Sequence, residues 1–226
     1  MKNLYCAVFA FTLAINAFAV ESIPAALAIA VRTELPANVS VREFVLGDLN
    51  QDGIKDYATL IYTPTSIKDE ATEQLQIAVF FGQKNGDYKL NAVSDNIYPH
   101  HRITEGLEIK NQSLYLSRGG TNYDSVFNEV FQFKMRENNL TLIGETSSQV
   151  ANRDKANDFG KSINYLTGKV TFWRLMGKKR KEVTKSFSII ATEKLSAFNY
   201  EKYSSKTLKV PQGHIDEKFK FVTYGQ

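Results

Sequence analysis

Tight-turn tetrapeptides and tripeptides divide this chain into short segments, and that punctuation limits its fold more than any other feature. Lys84-Asn85-Gly86-Asp87, Glu137-Asn138-Asn139 and Met176-Gly177-Lys178-Lys179 each contain Asn or Gly, the residues that accept the positive φ of hairpin turns. Between such turns, residues 57–62, 75–81, 88–93, 107–109, 113–117, 127–135, 140–145, 162–165, 169–175 and 182–190 carry the apolar and β-branched runs of strands. Upstream, Val39, Val41, Glu43 and Val45 alternate with Ser40, Arg42, Phe44 and Leu46, so both faces of that strand carry apolar residues. The fold class expected is mainly β, α+β at the margin: antiparallel sheets, a sandwich, or a partial propeller-like assembly. One short N-terminal helix is expected at Ala25-Ala26-Leu27-Ala28-Ile29-Ala30-Val31, with Ser22 as N-cap and Pro36 marking its end.

Two stretches depart from the strand pattern. Residues 63–74 are polar, with Asp69, Glu70 and Glu73, and suggest an exposed loop. Residues 147–161, rich in Asn, Asp and Lys, suggest a long solvent-facing connection. Neither has the composition of a domain linker, so residues 20–226 are taken as a single β-rich domain. The tyrosine-rich tail from Leu195 has no clear periodicity.

Residues 1–19 have the features of a signal peptide. Lys2 precedes an almost wholly apolar run over residues 4–18, and Ala17-Phe18-Ala19 has the small-x-small pattern of a cleavage site. The run is short of the roughly 20 residues a membrane-spanning helix needs. The expected location is therefore periplasmic or secreted. The chain's one cysteine, Cys6, lies inside this segment, so the processed chain has no disulfide to stabilise it. The net charge of +4 falls by one with Lys2, too small a bias to indicate a nucleic-acid partner.

Asp48-Leu49-Asn50-Gln51-Asp52-Gly53-Ile54-Lys55-Asp56 holds the strongest chemical signal. Calcium takes six to eight oxygens at roughly 2.3–2.6 Å. Asp48, Asn50 and Asp52 alternate along the loop, Gly53 allows a sharp turn, Ile54 offers its carbonyl oxygen, and Asp56 supplies the ninth position. The expected metal set is Asp48, Asn50, Asp52, Ile54 and Asp56, with calcium as cofactor. The helix-loop-helix calcium motif fits poorly: its twelfth position, normally Glu, is Thr59 here, and both flanks look like strands. A metal-free Asx/Gly turn is the competing reading.

The segment Gly47-Asp48-Leu49-Asn50-Gln51-Asp52-Gly53-Ile54-Lys55-Asp56-Tyr57 resembles the calcium loop of FG-GAP/VCBS-type repeats, found in secreted bacterial proteins and integrin-like propellers. Ala78-Val79-Phe80-Phe81-Gly82-Gln83-Lys84-Asn85-Gly86-Asp87-Tyr88 is similar to the hairpin that follows the loop in those repeats. The resemblance covers residues 45–90. Gly106-Leu107-Glu108-Ile109-Lys110-Asn111, Leu140-Thr141-Leu142-Ile143-Gly144 and Asn164-Tyr165-Leu166-Thr167-Gly168-Lys169 are similar to a group of uncharacterised exported bacterial proteins with a single such loop. The loop occurs once and no fixed repeat period is present, whereas a propeller needs about four to eight blades.

Other candidate sites are weaker. Pro99-His100-His101-Arg102 places adjacent imidazoles on opposite sides of an extended chain. Gly160-Lys161-Ser162 lacks the upstream glycine of a phosphate loop, since position 155 is Lys155. Lys178-Lys179-Arg180-Lys181 falls at an expected hairpin tip, as a solvated turn or a contact for anionic lipid, envelope polymer or an acidic protein. Arg118-Gly119-Gly120-Thr121-Asn122-Tyr123-Asp124 has the composition of a recognition loop, or of an ordinary long hairpin loop.

No G-x-S-x-G elbow occurs, and no cysteine nucleophile survives processing. Two functions follow. One is an exported, non-enzymatic, calcium-binding module recognising a protein or envelope component, for instance a periplasmic inhibitor or immunity-type protein. The other is an envelope-directed hydrolase using carboxylates or His100/His101 in a cleft.

Overall fold

The computed structural model describes residues 23–67, 70–97, 103–122, 125–151, 157–188, 193–200, 213–216, 218 and 220–223. The signal segment, Ser22 and the His100/His101 pair lie outside them. Helix α1 (Ala25–Glu34) begins just after Pro24 and ends at Leu35, before Pro36. Leu27 and Ala30 turn into the protein, while the Glu34 carboxylate accepts the Leu90 N–H at 2.9 Å.

Strands β1 (Ser40–Gly47), β2 (Asp56–Ile67), β3 (Glu70–Gly82) and β4 (Tyr88–Val93) form an antiparallel meander in that order. A second meander runs β5 (Ile103–Lys110), β6 (Ser113–Asn122), β7 (Ser125–Arg136), β8 (Asn139–Ala151), β9 (Asn157–Asn164), β10 (Lys169–Met176) and β11 (Lys179–Ser186). A short pair, β12 (Gly213–Ile215) and β13 (Phe221–Thr223), follows a 3-10 turn at Leu195–Ala197. Neither meander closes on itself, so the fold is β-rich with antiparallel sheets and no barrel.

Side-chain alternation sorts the core into two layers. Ala58, Leu60, Tyr62, Leu75, Ile77 and Val79 leave the small sheet toward the large one, where Leu114, Leu116, Phe131, Phe133, Leu142 and Val170 meet them. The opposite face of β2 and β3 gives Tyr57, Ile61, Ala78 and Phe80 to Leu27, Ala30 and Leu35 around the helix. These strands are covered on both sides, which explains their unbroken apolar runs.

Three expectations need correction. Within the expected loop at 63–74, residues 63–67 and 70–74 are strand: β2 and β3 stay paired from Thr63↔Gln74 to Ile67↔Glu70. Within the expected connection at 147–161, residues 147–151 and 157–161 are strand, with β8 and β9 paired from Gly144↔Asn164 to Val150↔Asp158. In both places a backbone ladder, which needs no apolar side chain, continues through polar sequence. Residues 118–122 belong to β6, where Arg118 pairs with Glu129, Gly119 with Asn128 and Gly120 with Phe127. The expected turn at Gly177-Lys178 joins β10 to β11, with Met176 opposite Lys179.

Candidate functional site

The nine-residue bend between β1 and β2 is organised by its own carboxylates. Asp48 Oδ1 accepts the N–H of Gln51 at 2.7 Å and of Asp52 at 3.2 Å, and its Oδ2 accepts Gly53 N–H at 3.0 Å. Asn50 Oδ1 accepts Asp52 N–H at 3.1 Å, and Asp52 Oδ1 accepts Ile54 N–H at 2.8 Å. These are Asx-turn bonds, the reason Asp and Asn dominate such bends. Gln51 (φ 65°) and Gly53 (φ 82°) take up the left-handed conformations that the tight path demands.

Asp56 has a different job. It is fully buried, with Oδ2 accepting Leu49 N–H at 2.7 Å and Asn50 N–H at 3.4 Å, and Oδ1 accepting Gly82 N–H at 3.1 Å across on β3. Burial pushes its carboxyl above the ordinary value; its three backbone donors oppose that rise and the nearby Asp52 charge adds to it. Gly82 is the seat beneath: a Cβ there would lie 2.5 Å from Lys55 O and 2.6 Å from Ile54 Cγ2. Sequence reasoning named every loop residue but passed over Gly82 as a site residue, and only the packing distance identifies its part.

The donor chemistry suits a hard cation, for it consists of oxygens alone, three of them carboxylates within nine residues. Asp48, Asn50, Asp52 and Asp56 are linked through one backbone bend, and Asn50 Nδ2 donates to Asp52 Oδ2 at 2.9 Å. Among the described residues, no three His, Cys, Asp or Glu side chains gather around one point at metal-binding distances. Holding an ion would require Asn50 and Asp52 to exchange their mutual bond for it. Beside the loop, a cleft of about 930 Å³ continues from Asn50 and Asp52 to Asn85 and Asp87 of the β3–β4 turn and to Glu34.

A second polar centre lies on the large sheet, and sequence reasoning missed it as a site. Arg118 is 1% exposed. Its guanidinium stacks 3.6 Å from the Tyr200 ring centroid, and Nη1 lies 3.9 Å from Glu129 Oε2. Tyr200 O–H donates to Glu129 Oε2 at 2.8 Å, and burial followed by that carboxylate pushes the phenol up to about 12. Two strands away, Lys161 Nζ lies 3.4 Å from Glu145 Oε1, and Tyr165 O–H donates to Glu145 Oε2 at 2.9 Å. A cleft of about 460 Å³ opens here, bordered by Glu129, Lys161, Tyr200 and His214. The sequence held a faint signal, charged residues at core-facing positions of apolar strands, but nothing in it said that Tyr200 returns to cover them.

No protein-family model matches the chain, and neither a curated protein nor a solved structure shows significant similarity to it.

Proposed function

We propose that this chain is an exported, non-enzymatic β module, steadied by one calcium ion and acting by binding a protein or envelope component. The ion is assigned to Asp48, Asn50, Asp52, the Ile54 carbonyl and Asp56. The observation carrying this reading is the burial of Asp56 within reach of the Asp52 charge, in a bend pinned to β3 through Gly82. Negative charge held close together at a sheet corner is costly when uncompensated, and a divalent cation removes that cost. With no disulfide in residues 20–226, an ion at this corner would stiffen the one bend on which β1, β2 and β3 all converge.

The non-enzymatic part rests on how the buried acids are engaged. Asp56 is held by three backbone donors, and Glu129 by Tyr200 and Arg118, so each already serves as a scaffold contact. The export part rests on the lysine and apolar run of residues 1–19.

Thermal unfolding with and without millimolar calcium tests the central claim. Calcium at 100 times its dissociation constant should add about 2.7 kcal/mol and raise the midpoint by several degrees. The increment should vanish in Asp52→Asn and be far smaller with magnesium. An unchanged midpoint would identify the bend as a metal-free corner held by Asx turns.

A further inference from the structure

We infer that the cleft on the large sheet is a binding site for a neutral, hydroxyl-rich ligand, a short saccharide. This inference stands apart from the calcium reading and draws on different residues.

The starting point is a sheet face that changes character partway along its strands. Toward one end, β6, β7 and β10 point Leu114, Phe133 and Val170 into the core. Further along the same faces, Glu105, Arg118, Glu129, Ser147, Lys161 and Phe172 lie side by side in one cross-strand row. Buried ionic groups are poor stabilisers compared with apolar residues of similar size, so packing alone gives no reason for this row. The chain nevertheless brings Tyr200 and the β12 segment back over it, leaving a cleft of about 460 Å³. That volume falls within the range of about 300–1,000 Å³ typical of small-molecule sites.

The lining indicates the class of ligand. Its charges are matched internally: Glu129 faces Arg118 and accepts from Tyr200, and Lys161 faces Glu145. A charged ligand would meet a counter-ion already engaged. An apolar ligand would strip water from Glu129 and Lys161 and return no hydrogen bond. Hydroxyl groups both donate and accept, so a polyol can satisfy a carboxylate and an ammonium at once. Half-buried Phe127 and Phe159 add flat apolar surface to the same cleft, suited to the faces of a sugar ring.

Isothermal titration calorimetry reads occupancy of the cleft directly. The purified protein is titrated in EDTA with maltose, cellobiose and diacetylchitobiose, with glucuronate, glucosamine and a capped neutral dipeptide as contrasts. The expected result is a saturable heat of binding with at least one neutral disaccharide. Lys161→Met, which removes a charged donor, should weaken it by about tenfold or more. Phe127→Ala should weaken it as well, and serves in place of Lys161→Met if that variant fails to fold. No response to any neutral sugar overturns the proposal, as does undiminished binding in the variants. Preference for either charged sugar overturns the neutral-ligand argument, and preference for the dipeptide overturns the saccharide class.

Discussion

The two polar centres of this protein are built in opposite ways. At the small sheet, four side chains from nine consecutive residues hydrogen-bond to the backbone of their own bend, and only Gly82 comes from elsewhere. At the large sheet, Glu105, Arg118 and Glu129 come from three strands, and Tyr200 lies 71 positions from its partner Glu129. The first centre is local, and its acids are answered by N–H groups. The second is assembled by register, and its charges answer one another. The local centre should therefore tolerate loss of its exposed members, whereas the assembled one should fail whenever a buried member goes.

Arg118→Ala should have the largest effect. It leaves Glu129 and Glu105 beside the core without their cation and removes the surface on which Tyr200 stacks, an expected loss of about 3–5 kcal/mol. Urea unfolding measures it, and a loss below about 1 kcal/mol would show that the row is solvated and the contrast misplaced.

The next prediction sets two members of the local centre against each other. Asp56→Ala strands the Leu49, Asn50 and Gly82 N–H groups and should cost about 2–3 kcal/mol already in EDTA, and more with calcium, where a ligand is lost as well. Asp52→Asn, at an exposed position, should stay within about 0.5 kcal/mol of the parent in EDTA yet abolish the calcium increment. Equal losses in EDTA would erase the distinction between anchor and ligand.

The smallest effect is the response to pH, and both sheets share it. Burial raises the carboxyls of Glu43 and Asp56 on the small sheet and of Glu105 and Asp158 on the large one. A carboxyl raised in the folded state binds its proton there first. Stability in EDTA should then rise as pH falls from neutral toward the ordinary carboxylate range near about 4, and fall again as pH rises. Glu105→Gln should flatten that slope. With calcium present the ion competes with the proton at Asp56, so the calcium increment should shrink over the same interval. Urea midpoints across this range, with and without the ion, check both signs.

The alternation of Leu114, Leu116, Phe131, Phe133, Val170 and Phe172 with polar neighbours made these strands legible, because a half-buried strand writes its burial into every second residue. The bend at residues 48–56 was legible for a related reason: Asx turns form between residues two to five positions apart. Residues 63–74 and 147–161 misled because polarity reports exposure and says little about whether a backbone ladder continues. Arg118 misled because glycine and arginine side by side suggest a mobile loop, while the register places that arginine between two glutamates.

Local sequence carried the apolar middles of the strands, the turns at residues 84–87, 137–139 and 176–179, and the set of oxygens at residues 48–56, because each depends on neighbours a few positions apart. Tertiary structure alone decided that Gly82 seats the bend, that Arg118 lies buried between Glu105 and Glu129, and that Tyr200 closes over them. Those outcomes depend on the separation of two packed surfaces and on cross-strand register, quantities carried by the folded chain as a whole and by no single segment of it.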